Sequence, residues 1–175
     1  ISLTAACSRS KLSDGEATLS AAEVIDISTI DLTEVAISAD EVGKMLPQCG
    51  DMRHLDHIIY HTPNYSHGVG IKYVRNDEFW VPFHIPGRPL LPGVLMIEAA
   101  AQLCSIMFRR KTGKDNFLGF TRCDHVSFRG QVEPGNELIL TQEVLKFGHR
   151  RMVCKTQGLV NGRMVFEGQI TGMTI

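Results

Sequence analysis

The chain has 175 residues, 43% of them hydrophobic, which is typical of one compact domain with a single core. Its 18 Lys and Arg residues nearly balance 19 Asp and Glu residues, and the net charge is −1. Because binding to a phosphate backbone normally requires a basic excess, this balance argues against a nucleic-acid partner. The longest apolar stretch, residues 90–108, is interrupted by Pro, Gly, Glu, Gln and Ser, so no membrane span is predicted.

Residues 1–37 differ in composition from the rest, being rich in Ser, Thr, Ala and acidic residues and lacking Pro, Trp, Phe and Tyr. We interpret them as an N-terminal extension of unknown role, followed by one domain over residues 38–175. The apolar residues of the extension follow neither a clean helical nor a clean strand period. We expect them to cover an exposed sheet edge or a subunit surface. They are Val24, Ile25, Ile27, Ile30, Leu32, Val35 and Ile37.

The pattern of the domain predicts two helices and six strands. Its long helix carries apolar residues on nearly every face, which is typical of a helix buried on most sides. Asn161-Gly162 lies between two alternating apolar runs and strongly indicates a hairpin. The sequence therefore predicts an α+β fold in which an antiparallel sheet wraps around a long central helix. The predicted elements are a short helix over residues 40–46 capped by Ser38 or Asp40, two strands within 55–73, the long helix over 94–110 between Pro92 and Gly113, and strands over 117–128, 137–147, 152–160 and 164–174.

The five cysteines are odd in number, widely spaced and free of any C-x-x-C pair. Because a disulfide framework uses an even number of cysteines, the pattern favours reduced thiols and a cytoplasmic location. His54, His57 and His61 would form one zinc-binding face on a helix. The segment is better explained as a strand, with His57 and His61 on one face and His54 on the other. No metal site is predicted.

The segment that leads into the long helix is the most unusual part of the chain. Three prolines and two glycines within residues 86–93 give the backbone a rigid, non-repetitive path. His84 begins this path and Glu98 lies in the second helical turn among apolar neighbours. A turn histidine and a hydrogen-bonded buried carboxylate are the simpler explanations, but the two groups also suit an acid and base pair. The free N–H of Gly93, at the helix N-terminus, is a donor for a developing oxyanion.

The string H-x-P-G-x-P-x-x-P-G-V-L-x-x-E-A-x-A-Q, from His84 to Gln102, resembles the signature of the β-hydroxyacyl-acyl-carrier-protein dehydratases of the FabZ type. The resemblance covers roughly residues 44–175. It implies the hot-dog fold, with His84 taking the C2 proton of a 3-hydroxyacyl thioester and Glu98 of the other subunit handling the departing hydroxyl. It also implies that the Gly93 amide binds the thioester carbonyl. Gln102, one turn beyond Glu98, either orients that carboxylate or packs as a buried amide.

The resemblance further implies an acyl carrier protein as the substrate-bearing partner and a homodimer or trimer of dimers, with no cofactor. The chain departs from the family pattern on both sides of the histidine, where Phe83 replaces Gly and Ile85 replaces Phe. The Arg-Tyr-Pro-Phe segment of the family is also missing near residues 49–53. These departures bear on chain-length preference and partner docking.

Three alternative functions stay open at this point. Another enzyme of the same fold would be an acyl thioesterase or a dehydratase of a specialised pathway. A hydrolase needs a carboxylate or histidine that directs water at the carbonyl, and the intact spacing of His84 and Glu98 argues against it. A non-catalytic acyl-thioester-binding module is the third alternative.

Overall fold

The computed structural model describes residues 23–113, 115 and 117–175. A single six-stranded antiparallel sheet has the strand order β1-β2-β4-β5-β6-β3, and the long helix α2 packs on one face of it. This is the predicted α+β architecture. The elements are α1 (Ala39–Met45), β1 (His57–His61), β2 (His67–Tyr73), α2 (Gly93–Thr112), β3 (Leu118–Phe128), β4 (Glu137–Phe147), β5 (Arg151–Val160) and β6 (Arg163–Thr174), with short 3-10 turns at Ile27–Thr29 and Gly50–Met52.

Both ends of α2 are set by the residues that the sequence indicates. Pro92 is the N-cap, so the helix begins at Gly93, one residue before the predicted start. Gly113 adopts the left-handed conformation, with φ of 64°, and its N–H donates to the Arg109 carbonyl. Because this left-handed conformation strains any residue with a side chain, glycine is favoured at the position where the helix ends. No helix in the described ranges is long and apolar enough to cross a membrane.

The short helix α1 has the predicted cap. The Ser38 hydroxyl accepts from the Glu41 N–H, and the Glu41 carboxylate accepts from the Ser38 N–H, which completes a capping box. Val42 on this helix is fully buried against the main core. The cap therefore fixes the start of the chain segment that leads to the candidate site.

The sheet face opposite α2 is covered by part of the N-terminal extension. An apolar patch on this outer face packs against Ile25, Ile27 and Ile30. The Val24 N–H donates to the Gln157 side-chain oxygen at 2.8 Å. Ile37 forms a bridge with Ile58 along the edge of β1. The predictions for residues 1–22, including Cys7, lie outside the described residues. The patch consists of Ile59, Val69, Ile71, Ile139 and Leu159.

The predicted side-chain alternation of the three histidines is wrong because β1 contains a bulge. The pairing with β2 shifts between Ile58 and Tyr60, so Ile59 is an extra residue in the strand. His57 pairs with Ile71 on the outer face, whereas His61 pairs with Gly68 on the face that α2 covers. The two histidines therefore lie on opposite faces. Within the described residues, no group of three or more metal-ligating side chains is placed to hold an ion.

Candidate active site

His84 lies in the series of turns that joins β2 to α2, and its imidazole has one fixed contact. Its Nδ1 atom lies 2.8 Å from the Leu90 carbonyl oxygen. Because a carbonyl only accepts hydrogen bonds, Nδ1 carries the proton and donates it there, which assigns the tautomer from the partner. The neutral imidazole then presents the lone pair of Nε2, and the side chain is exposed to solvent. This arrangement suits a general base.

His84 and Gly93, two of the candidate site residues, line one cleft. The cleft has a volume of about 380 Å³ and is mostly apolar. Gly93 is the first residue of α2, so its N–H has no acceptor within the helix. The imidazole of His84 and the first residue of α2 thus border the same cleft. Apolar side chains complete the cleft, among them Leu90, Leu91, Met96, Phe128 and Val132.

Gly93 also has a packing reason to be glycine. A Cβ atom at this position would lie 2.8 Å from two ring atoms of Phe128, closer than real Cβ contacts allow. The Phe128 ring in turn stacks on Phe166, with ring centroids 5.8 Å apart. A substitution at Gly93 would therefore disturb packing as well as the amide, so it cannot by itself test the role of the N–H.

Glu98 is held by two side-chain amides. The Nε2 groups of Gln102 and Gln48 both donate to its Oε1, at 2.8 Å and 3.1 Å. No hydrogen bond from a described residue reaches Oε2. One carboxylate oxygen is therefore fixed by two hydrogen bonds, and the other has no hydrogen-bond partner among the described residues.

Gln102 combines the two roles that the sequence left as alternatives. Its side chain is fully buried, and its Oε1 accepts from the backbone N–H groups of His54 and Leu55. Its Nε2 donates to the Met52 carbonyl as well as to Glu98. The same amide thus satisfies buried backbone groups and orients the carboxylate.

The single chain brings its predicted site residues together in two separate groups. His84 and Gly93 share the cleft, whereas Glu98 and Gln102 share the amide network. Glu98 is absent from the cleft lining, and no hydrogen bond or ion pair between described residues joins it to His84. Within one chain, the two groups therefore share neither the cleft lining nor a hydrogen bond.

Two features near the candidate residues were not predicted from the sequence. They are the hydrogen bond from Gln48 to Glu98 and a buried ion pair between Lys72 and Glu78. Gln48 has no local signal because it is 50 residues from Glu98. The signal for the ion pair was available, since Lys72 is the one charged residue in the apolar run Gly68–Val74. His54 lies beside these groups and is 1% exposed, and its Nε2 has no hydrogen-bond partner in the described structure. Burial, and then the charge of Lys72, lower the pKa of His54.

Two of the described cysteines, Cys104 and Cys123, are poorly suited to act as a nucleophile. Cys49, Cys104, Cys123 and Cys154 are free thiols. Burial raises the pKa of the Cys104 thiol well above its ordinary value and also raises that of Cys123. Neither thiol therefore forms the thiolate that such chemistry needs.

Comparisons with known proteins agree with this architecture. The sequence profile of a family described as FabA-like domain matches residues 46–169. Among solved structures, the dehydratase heterocomplex ApeI:P from Xenorhabdus doucetiae is similar with a TM-score of 0.65 and 19% identity, covering 77% of this chain and 90% of that one.

Two thioesterases are also similar. A hypothetical thioesterase with coenzyme A from Streptococcus pneumoniae TIGR4 matches with a TM-score of 0.54 and 13% identity, covering 68% of this chain and 84% of that one. Thioesterase superfamily member 2 from Mus musculus matches with a TM-score of 0.53 and 12% identity, covering 66% and 79%. At these identities the likenesses show the fold alone, which is the hot-dog fold.

Proposed function

Because this chain belongs to the FabA-like domain family, we propose that it is a FabZ-type dehydratase, which converts 3-hydroxyacyl thioesters to trans-2-enoyl thioesters. One observation carries the proposal. A histidine with its proton fixed on Nδ1 lines an apolar cleft that Gly93, the first residue of a long helix, also lines. Proton removal next to a carbonyl requires this combination of a base and an oxyanion donor.

The reaction follows from these groups. Nε2 of His84 takes the proton from C2, and the electrons of the broken C–H bond form the C2–C3 double bond as the C3–O bond breaks. The departing hydroxyl takes a proton from Oε2 of Glu98 and leaves as water. During the reaction the Gly93 N–H and the positive end of the α2 dipole stabilise negative charge on the thioester oxygen.

We assign the Glu98 of each site to a second copy of the chain. Three large apolar side chains near His84 are unusually exposed, Phe83 at 79%, Val94 at 67% and Phe128 at 51%. In addition, β3 is an edge strand of the sheet and pairs only with β6 among the described strands. Exposed apolar patches and long unpaired edges are typical of association surfaces. A homodimer, or a trimer of dimers, would cover them and bring the two half-sites together.

The substrate we propose is an acyl chain carried as a phosphopantetheine thioester on acyl carrier protein in the cytoplasm. The mostly apolar cleft suits the acyl chain, and the free described thiols suit a reducing compartment. The fold also occurs in thioesterases, so hydrolysis of the same thioester is the outcome that the experiment has to separate.

Purified protein is incubated with a 3-hydroxyacyl thioester of acyl carrier protein, and the conjugated enoyl product is followed by its ultraviolet absorbance. Released thiol is measured in parallel. We expect enoyl product without thiol release, and a loss of about 100-fold or more in His84→Ala and in Glu98→Gln. His149→Ala, in the exposed turn after β4, is the matched control and keeps full turnover. Thiol release without enoyl product would identify a hydrolase, and tight binding without turnover a binding module.

A further inference from the structure

A buried ion pair lies beneath the turns that carry His84. Lys72 extends from β2 with 1% of its side chain exposed, and Glu78 follows in the turns with 10% exposed. Their Nζ and Oε2 atoms are 2.9 Å apart. Taking both charges out of water is costly, and an apolar pair of similar volume is often no less stable. Stability alone therefore does not explain why charges stand here.

The Glu78 carboxylate accepts hydrogen bonds from three residues of β2 and the turns that follow it. Its Oε1 accepts from the Arg75 N–H, and its Oε2 accepts from Lys72 Nζ and Trp80 Nε1, each at 2.9 Å. Burial raises the pKa of Glu78, but these hydrogen bonds outweigh burial and hold the pKa below its usual value. Glu78 is thus a carboxylate with hydrogen bonds to both oxygens. These bonds hold the first turns after β2 in place.

Trp80 links Glu78 to His84. Its side chain is 2% exposed and is fixed to Glu78 through Nε1. Its carbonyl accepts from the N–H groups of Phe83 and His84, at 3.0 Å and 2.8 Å. His84 is then held at two points, by Trp80 through its backbone and by the Leu90 carbonyl through its ring.

We propose that Lys72 and Glu78 are positioning residues that act on His84 through Trp80. The inference rests on the proposed function in taking His84 as the base. The turns between β2 and α2 form no sheet or helix that would fix the imidazole, so its position depends on these anchors. A shift of about 1 Å in a reacting group costs roughly 100-fold in rate, which makes such an anchor valuable to the reaction.

The first test removes one hydrogen bond at a time. Trp80→Phe keeps an aromatic ring but loses Nε1–H, and Glu78→Gln keeps the shape but loses the charge. We expect kcat to fall about tenfold or more while KM stays within about twofold, because binding groups are untouched. Arg75→Gln is the matched control. It breaks the exposed ion pair with Asp56 but keeps the backbone N–H that Glu78 uses, and its kcat is expected to be unchanged.

A double variant separates positioning from folding. Lys72→Met leaves Glu78 without its counter-ion and is expected to lower the melting temperature. Lys72→Met with Glu78→Gln removes both charges and is expected to restore melting. Turnover should stay low, since the NH2 group of glutamine replaces one of the two accepting oxygens and cannot accept from the donor that it faces, Arg75 N–H or Trp80 Nε1. Recovery of turnover together with melting would show that the pair serves the fold only, and the proposal would be overturned.

Nitrogen NMR of the His84 imidazole tests the positioning independently of any substrate. In the unaltered protein and in Arg75→Gln we expect one signal pair, with the proton on Nδ1. In Trp80→Phe and Glu78→Gln we expect shifted signals from a mixture of tautomers. Unchanged signals would refute the positioning role even in an active dehydratase. Shifted signals in a protein without dehydration activity would uphold the anchor and reject the proposed function alone.

Discussion

At the scale of single residues, His84 and Glu98 share one design, in which a neighbour occupies one polar atom and leaves the other available. The Leu90 carbonyl binds Nδ1 of His84, and Nε2 is the available atom. Gln102 and Gln48 bind Oε1 of Glu98, and Oε2 is the available atom. Each side chain then presents a single atom in a single direction. Preorganisation of this kind lowers the cost of orienting a group in the transition state.

His54 gives a prediction about stability and pH. Burial first, and then Lys72, lower its pKa from the ordinary value of 6.5, while Glu78, Glu98 and Asp56 act in the opposite direction. The folded protein thus binds fewer protons at His54 than the unfolded chain, and stability falls as pH drops below 6.5 towards the folded pKa. Above 6.5 this contribution is fully present. We expect His54→Gln to show a weaker loss of unfolding free energy between pH 7.5 and pH 5.

Urea unfolding at these two pH values measures the effect. His149→Gln is the control, because that histidine is exposed in the turn after β4 and should leave the pH dependence unchanged. Equal pH dependence in the unaltered protein and in His54→Gln would mean that His54 binds protons equally in the folded and unfolded states, contrary to the lowered pKa on which the prediction rests.

The residues of the site were predictable from sequence only where a local pattern marks them. The rigid segment and the apolar neighbours of Glu98 indicated His84, Gly93 and Glu98 as candidates, and the family resemblance added Gln102. Gln48 could not be found, because a contact across 50 residues leaves no local pattern. The separation of His84 from Glu98 within one chain was implied by the family resemblance and not by spacing.

At the scale of elements, the order of strands and helices was predictable because the residues of the turns between them are recognisable in the sequence. Asn161 and Gly162 have φ values of 50° and 72°, which is the left-handed pair that a two-residue hairpin requires. The face of β1 was not predictable, because the bulge at Ile59 reverses the alternation without any glycine or proline to mark it. The apolar residues of the extension predicted that residues 24–30 cover part of the domain, but not that they cover the outer face of the sheet, since the short 3-10 turn within them follows neither the helical nor the strand period.

That docked segment supports the second prediction about stability. Replacing Ile25, Ile27 and Ile30 together by Ser removes apolar cover from the outer face of the sheet. We expect a loss of about 2–4 kcal/mol in unfolding free energy, since each side chain is only partly buried. Turnover per folded site should persist, because the segment lies on the face opposite α2 and the cleft.

The matched control replaces Leu32 and Val35 by Ser. They belong to the same extension but are 38% and 55% exposed, so melting should change little. Calorimetry measures the melting temperatures of both variants. Equal melting temperatures for the triple and double variants would show that the contacts of residues 25–30 contribute nothing to the stability of the domain.

At the scale of the whole molecule, the proposed site residues of one chain fall into two groups. The cleft with His84 and Gly93 is bordered by exposed apolar residues, and the amide network around Glu98 leaves Oε2 without a partner among the described residues. The proposed site, with His84 from one chain and Glu98 from another, would account for both features. On this view, dimerisation and activity are inseparable.

Mixing two inactive variants tests this arrangement. A heterodimer of His84→Ala and Glu98→Gln has one site that lacks both groups and one site with His84 from one chain and Glu98 from the other. Random exchange in an equal mixture makes half of the dimers mixed, so about a quarter of the original activity should return. Native mass spectrometry establishes that exchange has occurred. A mixture of His84→Ala with His84→Asn contains no intact site and is expected to stay inactive. If mixed dimers form from the complementary variants and activity stays absent, Glu98 does not act across the subunit boundary, and the two half-sites must meet within one chain by a rearrangement.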